Sequence, residues 1–257
     1  MSLLTAHSIS LPVMPAKKLS SDKIVTSDIL GTAFSIGEDF MLTAGHVAAA
    51  FNGSPPDVLV VGLMHENGWK AAEVVRSEIL AKDTAILQVV FPTVESKTWF
   101  HKIKWNPKSL QPFEPVRSVG YAYGWHAVGD KRSIVVRGFQ GHVVSRLTEF
   151  GRIGAQEKPF GAYELSFGVP RGLSGSPLTN ASGPVAISGL IIGNSETKML
   201  VYQSEERLEE KGEVSRVEQY EALTLGIAVT ESEIFTTQSA LLGCTIGDHL
   251  RKCALVM

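Results

Sequence analysis

A chain of 257 residues with 44% hydrophobic residues, 19% charged residues and 24 glycines is long enough for one large domain or two small ones sharing an interface, with many tight turns. Its formal net charge of −2, with no dense basic block, excludes the footprint of a nucleic-acid binder or a polybasic membrane patch. The two cysteines, Cys244 and Cys253, can close only a short loop, which excludes a disulfide framework and suits a reducing compartment.

The N-terminal stretch MSLLTAHSISLPVMPAKKLSSDK lacks the basic start and sustained apolar run of a secretory signal. No later segment reaches the roughly 18 uninterrupted apolar residues of a spanning helix. The expectation is a cytoplasmic protein whose residues 1–24 form an extended arm. From Val25 onward the signals are short strands between glycines or polar turns: 31–37, 40–44, 57–64, 71–79 and 84–90. The passage 91–115, rich in Pro, Lys and Trp, has no clean period and reads as a linker. A second set of strands follows at 116–124, 132–147, 162–167, 184–193 and 223–229. Two groups of short strands around a linker predict an all-β protein of two small antiparallel barrels, at 25–110 and 111–230. Helix signals are confined to HVAAAF (46–51), the charged stretch 204–223, which reads as a short helix or a solvated loop, and 230–243. The last has a Thr cap and ends on Gly243, predicting a C-terminal helix within a segment 231–257.

The stretch RGLSGSPL (171–178) stacks two glycines, two serines and a proline. It is either turn punctuation or a turn that holds the Ser174 hydroxyl in the open, and a serine nucleophile needs a base and a group to orient that base. Among seven histidines, His46 stands out at the junction of an apolar strand and a small-residue turn, in LTAGHVAA. His142 lies inside a strand signal, and His65, His101, His126 and His249 sit in turns or near the terminus, where a solvated ring is the default. For the orienting acid, Asp83 opens DTAILQVV, and a carboxylate at the mouth of a buried strand is costly unless hydrogen-bonded. Asp57 is its main rival, and Asp39 reads as a hairpin turn.

The pieces TAGH, DTAIL and GLSGSP, in the order His, Asp, Ser, resemble the trypsin-like (chymotrypsin-fold) serine peptidases. VRSVGYAYG, AISGLIIG and LGIAV resemble the opening, substrate-binding and closing strands of that family's second barrel, so the likeness covers roughly residues 28–245. It implies two six-stranded antiparallel β-barrels with the active site between them and a C-terminal helix. It implies a catalytic triad of His46, Asp83 and Ser174, and an oxyanion hole from the backbone N–H groups of Gly172 and Ser174. Ser176 is expected to pack under the turn. The substrate pocket would be lined by Gly168, Val169, Ile192, Gly193 and Asn194, none of them charged, which predicts small or apolar side chains at the cleaved bond. No metal or organic cofactor is implied, and the partner is a protein or peptide substrate.

Leu173 stands where trypsin-type zymogens carry an aspartate, so the closer resemblance is to bacterial high-temperature-requirement proteases and glutamyl endopeptidases. The former append a peptide-binding domain, which is not expected in the 14 residues after Gly243. The acidic insert 203–221 falls beside the expected cleft, as a solvated loop or as a gate that senses an activating partner. The alternative reading is a catalytically silent or partner-activated module of the same fold that binds peptides or proteins.

Overall fold

The computed structural model describes residues 8–19, 24–53, 57–65, 68–93, 100–128, 131–151, 158–208 and 213–257. The first unit contains β1 (Leu11–Lys18), β2 (Ile24–Thr26), β3 (Gly31–Gly37), β4 (Phe40–Ala44), the short helix α1 (Gly45–Ala49), β5 (Asp57–His65), β6 (Gly68–Leu80) and β7 (Thr84–Val90). Its strand order is β2-β1-β3-β4-β7-β6-β5, and pairing of β1 with β5, Val13 opposite Val61, closes the ring. Alternating side chains of these strands fill the interior, among them Val13, Phe34, Ile36, Leu42, Leu63 and Leu87. β3 is buried along its whole length. One of its faces fills the barrel, and Thr32 on it bonds to the second unit.

The expected arm is partly a barrel strand. Residues 11–18 form β1, which pairs with β2, β3 and β5, while residues 1–7 and 20–23 lie outside the described residues. Pro12 and Pro15 weaken the strand signal because neither has an N–H to offer a ladder. Burial of Leu11, Val13, Met14 and Ala16 outweighs that loss.

The passage 91–115, apart from residues 94–99 outside the description, is packed rather than loose. Phe91 stacks on Phe100 with centroids 5.4 Å apart. Trp105 is fully buried, bridges to Ile187 and Val256, and lies 6.0 Å from Phe34 and 5.6 Å from Phe235. Burying a side chain of that kind contributes about 2–3 kcal/mol, so the connection between the barrels is also part of their shared core.

The second unit contains β8 (Pro115–Gly120), a hairpin of β9 (Trp125–Val128) and β10 (Lys131–Ile134), then β11 (Arg137–Phe150), β12 (Phe160–Leu165), β13 (Pro177–Asn180), β14 (Ile187–Leu208) and β15 (Glu213–Thr230). Its closed barrel runs β11-β12-β15-β14-β13-β8. The architecture is therefore the double antiparallel barrel expected from the sequence, with a short helical C-terminus. Beyond the pair Asn194–Gly226, β14 and β15 leave the barrel and pair only with each other, as far as Leu208 opposite Glu213. The stretch expected to be a short helix or loop is thus a β-ribbon, whose tip, residues 209–212, lies outside the description. Its described side chains are mostly exposed on both faces, so neither face imposes the apolar alternation that marks a strand.

After β15 come α2 (Glu231–Phe235), β16 (Gln238–Ser239), β17 (Cys244–Thr245) and α3 (Ile246–Lys252). Thr230 caps α2 as expected, accepting from Glu233 N at 3.4 Å. The helix stops well short of Gly243, because the Thr236 and Thr237 hydroxyls bond back to the Ser232 and Glu233 carbonyls. Gly243, with φ +67°, lies instead in the turn between β16 and β17. Among the described residues no helix is long and apolar enough to cross a membrane.

Candidate active site

His46 is carried by the step from β4 into α1, and Asp83 by the turn from β6 into β7. Lys82 and Asp83 both adopt left-handed backbone, φ +65° and +51°. This turns the Asp83 carbonyl onto Gly45 N (2.8 Å) and aims its carboxylate at the next residue. Asp83 Oδ1 accepts from His46 N at 2.8 Å, and Oδ2 lies 2.8 Å from His46 Nδ1. A Cβ on Gly45 would sit 3.0 Å from Asp83 Oδ1, so glycine keeps this approach open. With Nδ1–H given to the carboxylate, Nε2 keeps its lone pair as an acceptor. The Asp83 side chain is 15% exposed and the His46 side chain 43%, so the acid is covered and the ring reaches the surface.

The rival Asp57 is exposed at the start of β5, opposite Lys17. Asp39 sits in the β3–β4 turn, where its carbonyl accepts from Val89 N. His142 is exposed and stacks on Phe113, 6.4 Å away. His249 is not the solvated ring expected. It is buried within α3 and packs edge-on against Phe40, and burial holds its pKa below the ordinary value. Cys244 and Cys253 are free thiols.

Ser174 lies in a turn whose carbonyls are each committed. The Arg171 carbonyl accepts from Tyr123 N (2.7 Å), Leu173 from Ser176 N (3.1 Å), and Ser174 from Thr32 N (2.8 Å). The Gly172 carbonyl accepts the Thr32 hydroxyl at 2.8 Å. All four are therefore occupied and held in place. The N–H groups of Gly172 and Ser174 have no acceptor among the described residues. Gly172 (φ +92°) and Gly175 (φ +87°) are in left-handed conformations that favour glycine. Added Cβ atoms would lie 2.3 Å from the Tyr121 carbonyl oxygen and 2.0 Å from that of Thr32. Ser176 is buried beneath, its hydroxyl donating to the Leu173 carbonyl and accepting from Ser118.

Two site residues carry no signal that the sequence reading uses, Thr32 and Thr43. Thr32 joins the first barrel to the Ser174 turn, and the Thr43 hydroxyl holds the Thr32 carbonyl at 2.7 Å. The available signal is a threonine three residues before His46, directly ahead of the small residues of LTAGH, and another directly after Gly31. Four of the five residues expected to line a pocket gather in one place: Val169 bonds to Asn194, a Cβ on Gly168 would approach Asn194 Oδ1 at 3.9 Å, and Gly193 and Asn194 pair with Ile227 and Gly226. Ile192, next along the strand, is instead buried in the core that holds Phe34 and Trp105.

A family model described as the trypsin-like peptidase domain matches residues 31–186, more than half of the chain. The chain belongs to the trypsin-like peptidase family. The match takes in His46, Asp83 and the whole Ser174 turn of this trypsin-like chain, while the wall formed by Ile192, Gly193 and Asn194 lies beyond it. No curated protein matches. Among solved structures, the apo MamO protease domain from Magnetospirillum magneticum is 15% identical, with a TM-score of 0.53 over 89% of this chain and 94% of that one. The HtrA-type protease AlgW with a decapeptide is 14% identical, with a TM-score of 0.52 over 90% of this chain. The trypsin-like chain spans 65% of that AlgW chain. Likenesses at such identity show the shared fold.

Proposed function

We propose that the chain is a serine endopeptidase that works through an acyl-enzyme. Ser174 Oγ attacks the substrate carbonyl carbon as His46 Nε2 takes its proton. The resulting oxyanion accepts from the N–H groups of Gly172 and Ser174. The C–N bond then breaks as the imidazolium returns the proton to the leaving amine. Water attacks the Ser174 ester, His46 again taking and returning the proton, and the free hydroxyl is restored. Asp83 holds the tautomer and stabilises the imidazolium. The observation that carries this reading is the use of both Asp83 oxygens on one residue, His46, at 2.8 Å each. A merely structural carboxylate has no need of that geometry.

The pocket residues Gly168, Val169, Ile192, Gly193 and Asn194 carry no charge, which supports small or apolar side chains before the cleaved bond. Substrates on this reading are proteins or peptides. The free thiols support a cytoplasmic site of action.

A partner-activated form of the same enzyme is the second reading. It is favoured by one observation: no hydrogen bond joins Ser174 Oγ to His46 among the described residues. Such bonds often tighten only when substrate binds, so the two readings separate in solution. A fluorophosphonate should label the purified protein but not Ser174→Ala, and His46→Ala should react at least about 1,000-fold more slowly. Labelling only after a partner is added supports the second reading. Labelling that survives Ser174→Ala defeats both.

A further inference from the structure

Three groups meet where the side chain before the scissile bond would enter. Asn194, the last β14 residue paired within the barrel, turns its amide across to Val169. Its Oδ1 accepts from Val169 N at 2.6 Å and its Nδ2 donates to the Val169 carbonyl at 2.8 Å. Both hydrogen-bonding groups of one peptide residue on the opposite wall are taken by one side chain, so the amide cannot rotate away without losing two bonds. Asn194 is exposed and Val169 buried, which puts the amide at the mouth and the valine beneath it.

The space below is occupied as well. Val169 Cγ2 lies 3.0 Å from where a Cβ of Gly226 would stand, and Gly226 N donates to the Phe167 carbonyl at 2.9 Å. On the other side, a Cβ on Gly168 would meet Thr224 Cγ2 at 3.6 Å and Asn194 Oδ1 at 3.9 Å. The two walls are therefore tied together at the mouth and filled at the base.

We propose that Asn194 is the specificity-determining residue of this site, a bar that confines cleavage to bonds following glycine, alanine or serine. This rests on the peptidase reading and narrows its expectation from small or apolar to small alone. A larger aliphatic side chain must break both bonds to Val169 and leave its N–H and C=O without partners against an apolar group. A side chain no larger than a methyl or hydroxymethyl group stops short of the bar. Val169 acts with Asn194 as the floor.

The test compares wild type, Asn194→Ala, and Asn194→Ala combined with Val169→Gly. Each is treated with an alkyl fluorophosphonate that carries no amino-acid side chain, and with two peptidyl diphenyl phosphonates that differ only in an alanine or leucine side chain. Fluorophosphonate labelling that Ser174→Ala abolishes, together with a single cooperative melting transition, shows an intact serine and fold in each protein. Wild type should then react at least about 100-fold faster with the alanine reagent than with the leucine reagent. Asn194→Ala should narrow the ratio to below about 10-fold, and the double variant should narrow it further or invert it. Equal reactivity of wild type toward both reagents, or a ratio that the substitutions leave unchanged, overturns the inference while the fluorophosphonate still labels. Loss of fluorophosphonate labelling in all three folded proteins, with and without a partner, defeats the peptidase reading, and the inference with it.

Discussion

The Thr32 hydroxyl, from the first barrel, donates to the Gly172 carbonyl at 2.8 Å and accepts from Tyr121 N at 3.1 Å. It fixes the Gly172–Leu173 peptide by its oxygen. Thr32→Val keeps the shape and removes the hydroxyl together with both buried hydrogen bonds it makes. The expected outcome is a stability loss of about 1–3 kcal/mol. Reaction of Ser174 with a fluorophosphonate should slow by about 10–100-fold, because the turn is no longer held open. Thr32→Ser restores both. Equal labelling rates for Thr32→Val and wild type would show that the turn holds its conformation unaided.

Gly172 is the second point of control. Its φ of +92° and the 2.3 Å approach of an added Cβ to the Tyr121 carbonyl oxygen leave no room for any side chain. Gly172→Ala should rotate the Arg171–Gly172 peptide, break the Tyr123 N to Arg171 carbonyl bond and aim that carbonyl at the cleft. A loss of about 100–1,000-fold in turnover of a peptide substrate is expected, as for removal of one oxyanion donor. Peptide turnover within about threefold of wild type would place the oxyanion elsewhere.

His46, Asp83 and Ser174 stand out in the sequence as candidates because each sits in a short local motif, and the boundaries of β3, β4 and β7 follow from runs bounded by glycine or charge. The role of Thr32 is not legible, since a buried threonine in GTAFSIG looks like any β-branched strand residue until its partner 140 positions away is known. Val169 and Asn194 both stand out in the sequence as pocket candidates, but their two mutual bonds depend on how β14 meets the chain before the Ser174 turn. The ribbon escapes because its charges alternate with Val217 and Tyr220 on surfaces that are both solvated. Trp105 escapes because a fixed irregular chain has no period.

Two carboxylates tie the first barrel to the C-terminal segment and the second barrel, and make those contacts acid-sensitive. On β6, Glu78 accepts from Ser239 Oγ, Ala240 N and Leu241 N across the boundary. On α2, Glu233 pairs with Lys82, beside Asp83, at 2.6 Å and accepts from Gly161 N at 2.9 Å. Burial alone would raise both carboxyls. The donors from Ser239, Leu241 and Ala240, and from Lys82 and Gly161, outweigh it in sum and hold both below the ordinary range. A folded pKa below the unfolded one, about 4.3 for glutamate, gives stability that is complete above that value and is lost as pH falls through the folded pKa. The melting temperature should therefore fall as pH drops below about 4.3. Glu78→Gln should melt lower than wild type at pH 7 and show a flatter acid limb. An unchanged acid limb would assign the acid sensitivity to other groups.

The ribbon beyond Asn194 and Gly226 should be dispensable for folding. Its strands pair only with each other, and Leu200, Tyr202, Val217 and Tyr220 on it are each about half exposed. Removing such a segment takes away little buried apolar area, and a self-paired ribbon opens independently of the body. Replacing residues 197–223 with an Asn-Gly turn leaves Glu196 opposite Thr224, keeps Asn194 opposite Gly226 and joins the strands by a favoured two-residue hairpin. The expected change in stability is within about 1 kcal/mol, with less self-association at high concentration because two unpaired strand edges and their apolar side chains are gone. The alanine-to-leucine selectivity set by Asn194 should not move. A changed labelling rate in the shortened protein would instead make the ribbon a gate, since its base continues directly into the wall that carries Asn194. Loss of several kcal/mol would mean that the ribbon folds back onto the barrels in solution.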